Sequence, residues 1–432
     1  MNASTAQSRL DHSDACEPLI GLAPLMTMAF SGVDLAPLGA RLIERAGSAA
    51  GDANALMDLS TLLQLRGNKD VGLAAQGQAL QAQQLYRRSA PGGAAAIRLL
   101  AIMAPGDLMA NTPLEFLVQD SDVALEMLYI VPGQPFPPPI PEHDIAFVAV
   151  CESEPNRPLL RRLGEFLQSW PRPVCNLPDR IGRTARETAH ALLATVPQIC
   201  MPPSARVDRC TLERIGRGEL APGAVLADGC FPLIVRPLDS HAGHGLMKID
   251  RAQDVAEYLC AMPEGEFHIA RFVDYRSADG LFRKYRVVLI GGRAYAGHMG
   301  ISDHWMIHYL NAGMGESAEK RAQEERFMRS FDEDFARRHA AAFGAIAERI
   351  GLDYLVIDCG ETADGKLLVF EVDPGAVVHC MDPADLFPYK HAQMRRVFEA
   401  FRELLSSSIR ANGQGHARRE PVNAGARGAS IE

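Results

Sequence analysis

At 432 residues the chain is too long for one ordinary core and fits two or three domains of roughly 100–200 residues each. An apolar share of 47% with 22% charged residues excludes extensive disorder away from the ends, and a net charge of −9 excludes a general nucleic-acid binder. A phosphate site stays open, because it needs only a few cations gathered locally. Nine cysteines, from Cys16 to Cys380, are spread singly without a C-x-x-C pair and read as reduced thiols. The N-terminus is acidic before any apolar run, and no run approaches the roughly 20 residues of a membrane span, so the expected location is cytoplasmic, away from membrane.

Residues 1–33 show no sustained period and read as a leader. Residues 34–90 are rich in Ala, Leu and Gln, and ALMDLSTLLQLR and VGLAAQGQALQAQQLYR flank Gly67-Asn68 with helical spacing, which predicts a helical hairpin. It resembles a single tetratricopeptide repeat. One repeat cannot bury its own faces, so two readings follow: a packing element or lid, and a docking element for a protein or peptide partner. The class changes at 95–199. AAIRLLAIM (95–103), ALEMLYIV (124–131) and DIAFVAV (144–150) read as strands, RPLLRRLGEFLQSW (157–170) and RIGRTARETAHALL as helices, and PVCNLP as a short strand. Strand followed by helix predicts a parallel sheet, here an α/β layer without a catalytic cluster of its own. The proline-closed strand VPQICMPPSARVDR is the expected hinge into the next domain.

The chemistry gathers after residue 200. FPLIVRPLDSHAGHGLMKID (231–250) reads as strand, loop and strand, with a fixed cation at Arg236. Gly243 and Gly245 let backbone N–H groups approach phosphate oxygens, and Ser240, His241 and His244 add donors; an unliganded glycine hairpin is the competing reading. In EFHIARFVDY (266–275), the backbone of Arg271, Phe272 and Val273 suits a base edge and Asp274 or Asp279 suits ribose hydroxyls, or the segment is an edge strand with a terminal Asp. FRKYRVVLIGGRAYAGHM (282–299) predicts a hairpin turning at Gly291-Gly292. It sets Arg286 and His298 on one face as a cation and a proton-transfer group, or as a surface Arg and a core His.

HWMIHYLNAG (304–313) suits a loop over a site, with its histidines, His304 and His308, facing substrate or phosphate rather than zinc. GLDYLVIDCGETADGKLLVFEVDPG (351–375) reads as two apolar strands that carry Asp358 on the first and Glu371 and Asp373 on the second. Residues two apart share a strand face, and Asp358 can meet them from the paired strand. Three such carboxylates are costly without a cation, and oxygen ligands select Mg²⁺ or Mn²⁺; a solvated acidic edge is the alternative.

Together, IVRPLDSHAGHG, FHIARFVDY, KYRVVLIGGRAYAG and VFEVDPG resemble the ATP-grasp superfamily, nearest to the ribosomal-protein glutamate ligases and related peptide ligases. The resemblance implies an α/β fold class of α+β ATP-grasp type, with two β-rich lobes clasping ATP: a lid lobe at about 200–280 and a core lobe at about 281–405. The α/β domain of residues 95–199 precedes them, the helical region lies ahead of it, and a tail at 406–432 is expected to be disordered. It implies ATP and Mg²⁺ (or Mn²⁺) as cofactors, and an amide-forming carboxylate–amine ligase working through an acyl phosphate. The partners would be a small-molecule or peptide carboxylate and an amine, in a homodimer by default. Arg236 and the 240–245 loop would bind phosphate, Asp358, Glu371 and Asp373 would hold metal, Arg286 would stabilise the acyl phosphate, and His308 and Asn311 would hold substrate. Arg236 stands where the family usually has Lys, and Asp373 where it has Asn. Two rivals are a phosphotransferase with a non-acyl acceptor and a nucleotide-binding regulator that docks a partner through its helices.

Overall fold

The computed structural model describes residues 17–47, 51–137, 139–238 and 243–417, a mixed α/β chain whose strands form three sheets among those residues. The first contains β1 (Leu85–Arg88), β2 (Ile97–Met103), β3 (Val123–Tyr129), β4 (Ile145–Val148) and β5 (Val174–Cys175), in the order β1-β3-β2-β4-β5. β2 to β5 run parallel and β1 lies antiparallel on the edge. β2 and β4 are covered on both faces, which is why they appear as continuous apolar runs. The chain leaves β2 for β3 on one side and returns to β4 on the other. Their carboxyl ends therefore flank a switch point, where such sheets open a crevice.

β6 (Ile199–Cys200) pairs parallel with a strand of the third sheet, whereas β7 (Ser204–Asp208) belongs to the second. The segment between them crosses from one sheet to the other. β7, β8 (Leu233–Pro237), β9 (Met247–Ile249) and β10 (Glu266–Arg271) form an antiparallel sheet in the order β7-β10-β8-β9, with a small core of its own that includes Leu212, Val235, Tyr258 and Phe267. β11 (Phe282–Ile290), β12 (Arg293–Ser302), β13 (Tyr354–Glu361) and β14 (Leu367–Asp373) complete the third sheet, in the order β12-β11-β13-β14-β6. This sheet shares a core with the first: Phe147 of β4 and Tyr354 of β13 meet Phe401 of the last helix at ring distances of 5.8 and 5.6 Å.

Four expectations need correction. Residues 22–30 form a helix rather than a leader, because distant carboxylates satisfy its first N–H groups: Asp58 accepts from Ile20 and Gly21 at 2.8 and 2.9 Å, and Glu115 from Leu22 at 2.9 Å. The hairpin's second helix stops at Ala82, and Leu85–Arg88 instead pairs with β3, which supplies the backbone partners an isolated helix end lacks. RIGRTARETAHALL is broken into short helical pieces, the last being Arg186–Leu193. The final helix runs Pro388–Ala417, into the expected tail; residues 418–432 lie outside the described part.

The helical hairpin itself is present as Ala53–Leu65 and Lys69–Ala82. Ala53, Met57, Ala79 and Leu80 pack into the core of the α/β layer, while Ala55 and Leu62 pack against Leu35 and Leu42. Both of its faces are thus used within the chain.

Candidate functional site

Cross-strand pairing sets one row of side chains over the third sheet. His298 of β12 is opposite Arg286 of β11, Arg286 is opposite Asp358 of β13, and Asp358 is opposite Glu371 of β14. The expected shared face is therefore real. The Arg286 guanidinium grips Asp358 with two donors, Nε to Oδ1 at 2.8 Å and Nη2 to Oδ2 at 2.9 Å, and donates its third to the Val377 carbonyl at 2.9 Å. A β-bulge after Arg286 makes room for it with Gly297, where an added Cβ would lie 3.0 Å from Arg286 Cγ. Lys284, two residues earlier and so on the same face, places Nζ 2.7 Å from Asp358 Oδ2. Burial pushes the Asp358 carboxyl up, but Arg286 and Lys284 outweigh it and hold it well below the usual carboxylate range.

Arg186 comes from the α/β layer to this row and donates to Glu371 Oε2 at 2.8 Å. Against the pull of burial, its charge lowers the Glu371 carboxyl. Asp373 lies on the same strand face as Glu371 and behaves in the opposite way. Burial first and the Glu371 charge second push its carboxyl up to about 6, with the Gly375 N–H at 2.7 Å and the charge of Arg286 opposing. An electron-rich pair short of positive charge at one end fits a divalent cation on Glu371 and Asp373. Asp358 fits that role less well than expected, since both of its oxygens are engaged by cations. Among the described residues no three His, Cys, Asp or Glu side chains are arranged as a ready metal cage.

The second sheet faces this row. Arg236 on β8 lowers the Glu371 carboxyl through space, and Glu187, beside Arg186, lies 3.3 Å from His268, the register partner of Arg236. Gly243 and Gly245 have φ of 76° and 63°, and an added Cβ at Gly245 would lie 2.6 Å from Pro237 Cδ, so this turn requires glycine. His244 is exposed, 3.6 Å from Glu264. Ser240 and His241 lie outside the described residues. Met306 of the 304–313 loop approaches Gly243, so that loop and the glycine turn meet.

β10 is an inner strand paired on both sides and ends at Arg271; the edge-strand reading is thereby corrected. The Phe272 N–H is taken by the Pro232 carbonyl at 2.9 Å, and Asp274 and Asp279 are engaged by Arg276 and Arg283. Arg271 pairs with Asp228. Val273 is half-buried beside this strand end, and Lys248 stands over the Phe272 ring at 5.0 Å.

Towards the 304–313 loop, the half-buried His298 packs against Tyr309, with ring centroids 4.4 Å apart. Burial, then Arg286 and Lys390, hold its imidazole well below the usual value, so it is neutral and a poor base. An imidazole of such low basicity fits the expected proton-transfer role poorly. His308 is half-buried where Lys284 and Arg286 act on it. His304 and Asn311 are spent locally: His304 Nδ1 accepts from Met306 N at 3.2 Å and Asn311 Oδ1 from His308 N at 3.1 Å. The first sheet's switch point closes the other side. Cys151, just after β4, and the Met109 carbonyl both crowd Gly375, next to Asp373.

Lys284, Arg186 and Lys248 escaped the sequence reading. Period-two spacing from Arg286 was a usable signal for Lys284, whereas Arg186 is 185 positions from Glu371 and carried none.

No protein-family model matches the sequence, and no curated protein matches it. Among solved structures, the chain is similar to the VanG D-Ala:D-Ser ligase of Enterococcus faecalis, with a TM-score of 0.44 and 13% identity over 72% of this chain and 99% of that one. It is also similar to the D-alanine–D-alanine ligase of Bacillus anthracis complexed with ATP (0.42, 14%, 74% and 99%). A third is the RimK domain ATP-grasp protein of Sphaerobacter thermophilus (0.38, 17%, 71% and 99%). At these scores and identities the likeness assigns no activity.

Proposed function

We propose that the protein is an ATP-dependent carboxylate–amine ligase of ATP-grasp type. A substrate carboxylate oxygen attacks the γ-phosphorus of ATP as the bond to ADP breaks. An amine nitrogen then attacks the acyl carbon, the bond to phosphate breaks, and the amine loses its proton, giving an amide, ADP and phosphate. The observation that carries this reading is the row Arg286–Asp358–Glu371 with Lys284 beside it, facing Arg236 across the cleft.

Phosphoryl transfer needs positioning and fixed positive charge more than covalent chemistry. Arg286 and Lys284 are held by Asp358 before any ligand arrives, so little reorganisation is left for the moment of reaction. Arg286 is assigned to the oxygens of the acyl phosphate and of the tetrahedral intermediate. Arg236, with the backbone at Gly243 to Gly245, is assigned to the ATP phosphates, and the β10 end from Arg271 to Asp274 with Lys248 to the nucleoside. Glu371 and Asp373 would hold Mg²⁺ or Mn²⁺, which when bound neutralises charge on the transferring phosphoryl group. His308 is assigned to the substrate rim.

The acyl acceptor is favoured over a hydroxyl on proton grounds. A hydroxyl acceptor needs a base; His298 is stripped of basicity, Asp358 and Glu371 are engaged by cations, and Asp373, the one carboxyl of the row that is raised, is assigned here to the metal. A carboxylate arrives already ionised. The test is phosphate release from ATP with pooled amino acids and peptides, with and without an amine. Release that depends on amine and yields a product of amide mass supports the reading; a stable phosphate ester formed with or without amine, and no amide, overturns it in favour of a phosphotransferase.

A further inference from the structure

A cavity of about 70 Å³ lies between the helical hairpin and the first sheet, away from the charged row. It is several times the roughly 10–15 Å³ that one water needs. Asp58 and Gln64 of the first hairpin helix, Tyr86 of β1, Tyr129 of β3 and Glu115 line it, with Met57 and Met127 among its apolar walls. The half-buried Thr61 and Gln64 on one side bring it towards solvent.

The polar groups that face the cavity are acceptor-rich. The Tyr86 side chain is 0% exposed, and its hydroxyl has no partner although it lies in the field of Asp58. The buried Gln64 Oε1 likewise lacks a donor. Asp58 and Glu115 accept from the first helix's backbone but receive little cationic compensation: Arg88 comes only within 3.8 Å of Glu115, and Arg45, which acts on Asp58, is itself bonded to Asp52 and Glu17. Tyr86 and Tyr129 meet edge to face at 5.9 Å and add the negative faces of two rings. Carboxylates, an acceptor amide, a hydroxyl and aromatic faces around a small space with apolar walls are the surroundings that suit a compact ammonium on a short alkyl chain.

We propose that this cavity is a second binding site, independent of the charged row, for a small aliphatic primary amine in its ammonium form. The Tyr86 hydroxyl oxygen would accept from the ligand's ammonium, Asp58 would supply the counter-charge, and the methionines would cover the alkyl part.

The test is calorimetric titration of the full chain with ethylammonium chloride and ethanolamine hydrochloride, using sodium chloride of equal ionic strength as the control. Saturable binding of an alkylammonium but not of sodium is expected. Tyr86→Phe should weaken it about tenfold, the loss of one hydrogen bond to a charged group. It should leave the melting temperature unchanged, since that hydroxyl has no protein partner to lose. Asp58→Asn should weaken binding further, but Asp58 also caps the first helix, so Tyr86→Phe decides if that variant unfolds. ATP turnover should be unaffected by Tyr86→Phe. No saturable binding, or equal affinity in the wild type and Tyr86→Phe, overturns the proposal and leaves a water-filled cavity.

Discussion

The protein places carboxyl groups in two enclosed settings and treats them in opposite ways. In the row over the third sheet, Asp358 and Glu371 meet Arg286, Lys284 and Arg186, and their carboxyls are held low. In the cavity under the helical hairpin, desolvation outweighs the backbone donors that Asp58 and Glu115 receive, and both carboxyls are pushed up, Asp58 to about 6. Backbone N–H groups suffice to cap a helix but do not offset burial as a guanidinium does. Permanent ionisation of an enclosed acid therefore marks where the chain has invested cations, and those are the cations that the proposed phosphoryl transfer would use. Asp373 stands between the two cases: it belongs to the row, yet its carboxyl is raised like those of the cavity.

The sharpest way to break the comparison is Glu371→Gln. If the row is the reactive site, turnover falls by at least about 10²–10³-fold, the scale of losing one electrostatic stabiliser, while the melting temperature changes little because glutamine keeps the shape and an acceptor for Arg186. Retained turnover would move the chemistry elsewhere.

Asp358→Asn comes next. It leaves Arg286 and Lys284 uncompensated around a side chain that is 2% exposed, and urea unfolding should show a loss of about 3–5 kcal/mol. Adding Arg286→Met should return part of that loss. If it does not, the pair is not coupled.

The cavity side is tested by pH. The folded Asp58 carboxyl lies near 6 against 3.8 unfolded, so its stabilising contribution is complete below about pH 3.8 and is lost as pH rises through about 6. Asp58→Asn removes that dependence. Relative to wild type it should gain about 3 kcal/mol between roughly pH 4 and 7, read from parallel unfolding curves. A constant difference would show that Asp58 is compensated after all.

The smallest effect is expected at Arg236→Lys, which keeps the charge and changes only the donor geometry. The KM for ATP should move by less than about tenfold, with kcat nearly constant.

The part of this site that sequence made legible is the part written in strand period. Glu371 and Asp373 share a face because they are two apart, and the turn at Gly291-Gly292 brings the two hairpin arms together, although Arg286 faces His298 rather than Gly297 only because of the bulge after Arg286. Apolar runs gave away β2, β4, β13 and β14 because buried strands carry little else. What stayed hidden is non-local. The first helix is capped by Asp58 and Glu115 from far along the chain, and Leu85–Arg88 becomes a strand only because β3 offers an edge. The surroundings that lower the basicity of His298, Arg286 from the facing strand and Lys390 from the last helix, are likewise non-local.

In the proposed reaction a carboxylate oxygen attacks the γ-phosphorus of ATP. Wild-type protein incubated with ATP, Mg²⁺, an amine and ¹⁸O-labelled carboxylates, drawn from pooled amino acids and peptides, tests it directly by mass analysis of the released phosphate. One ¹⁸O transferred into phosphate for each amide formed is the predicted result. Unlabelled phosphate accompanying amide formation, or label retained in the carboxylate while ATP is consumed, would contradict it.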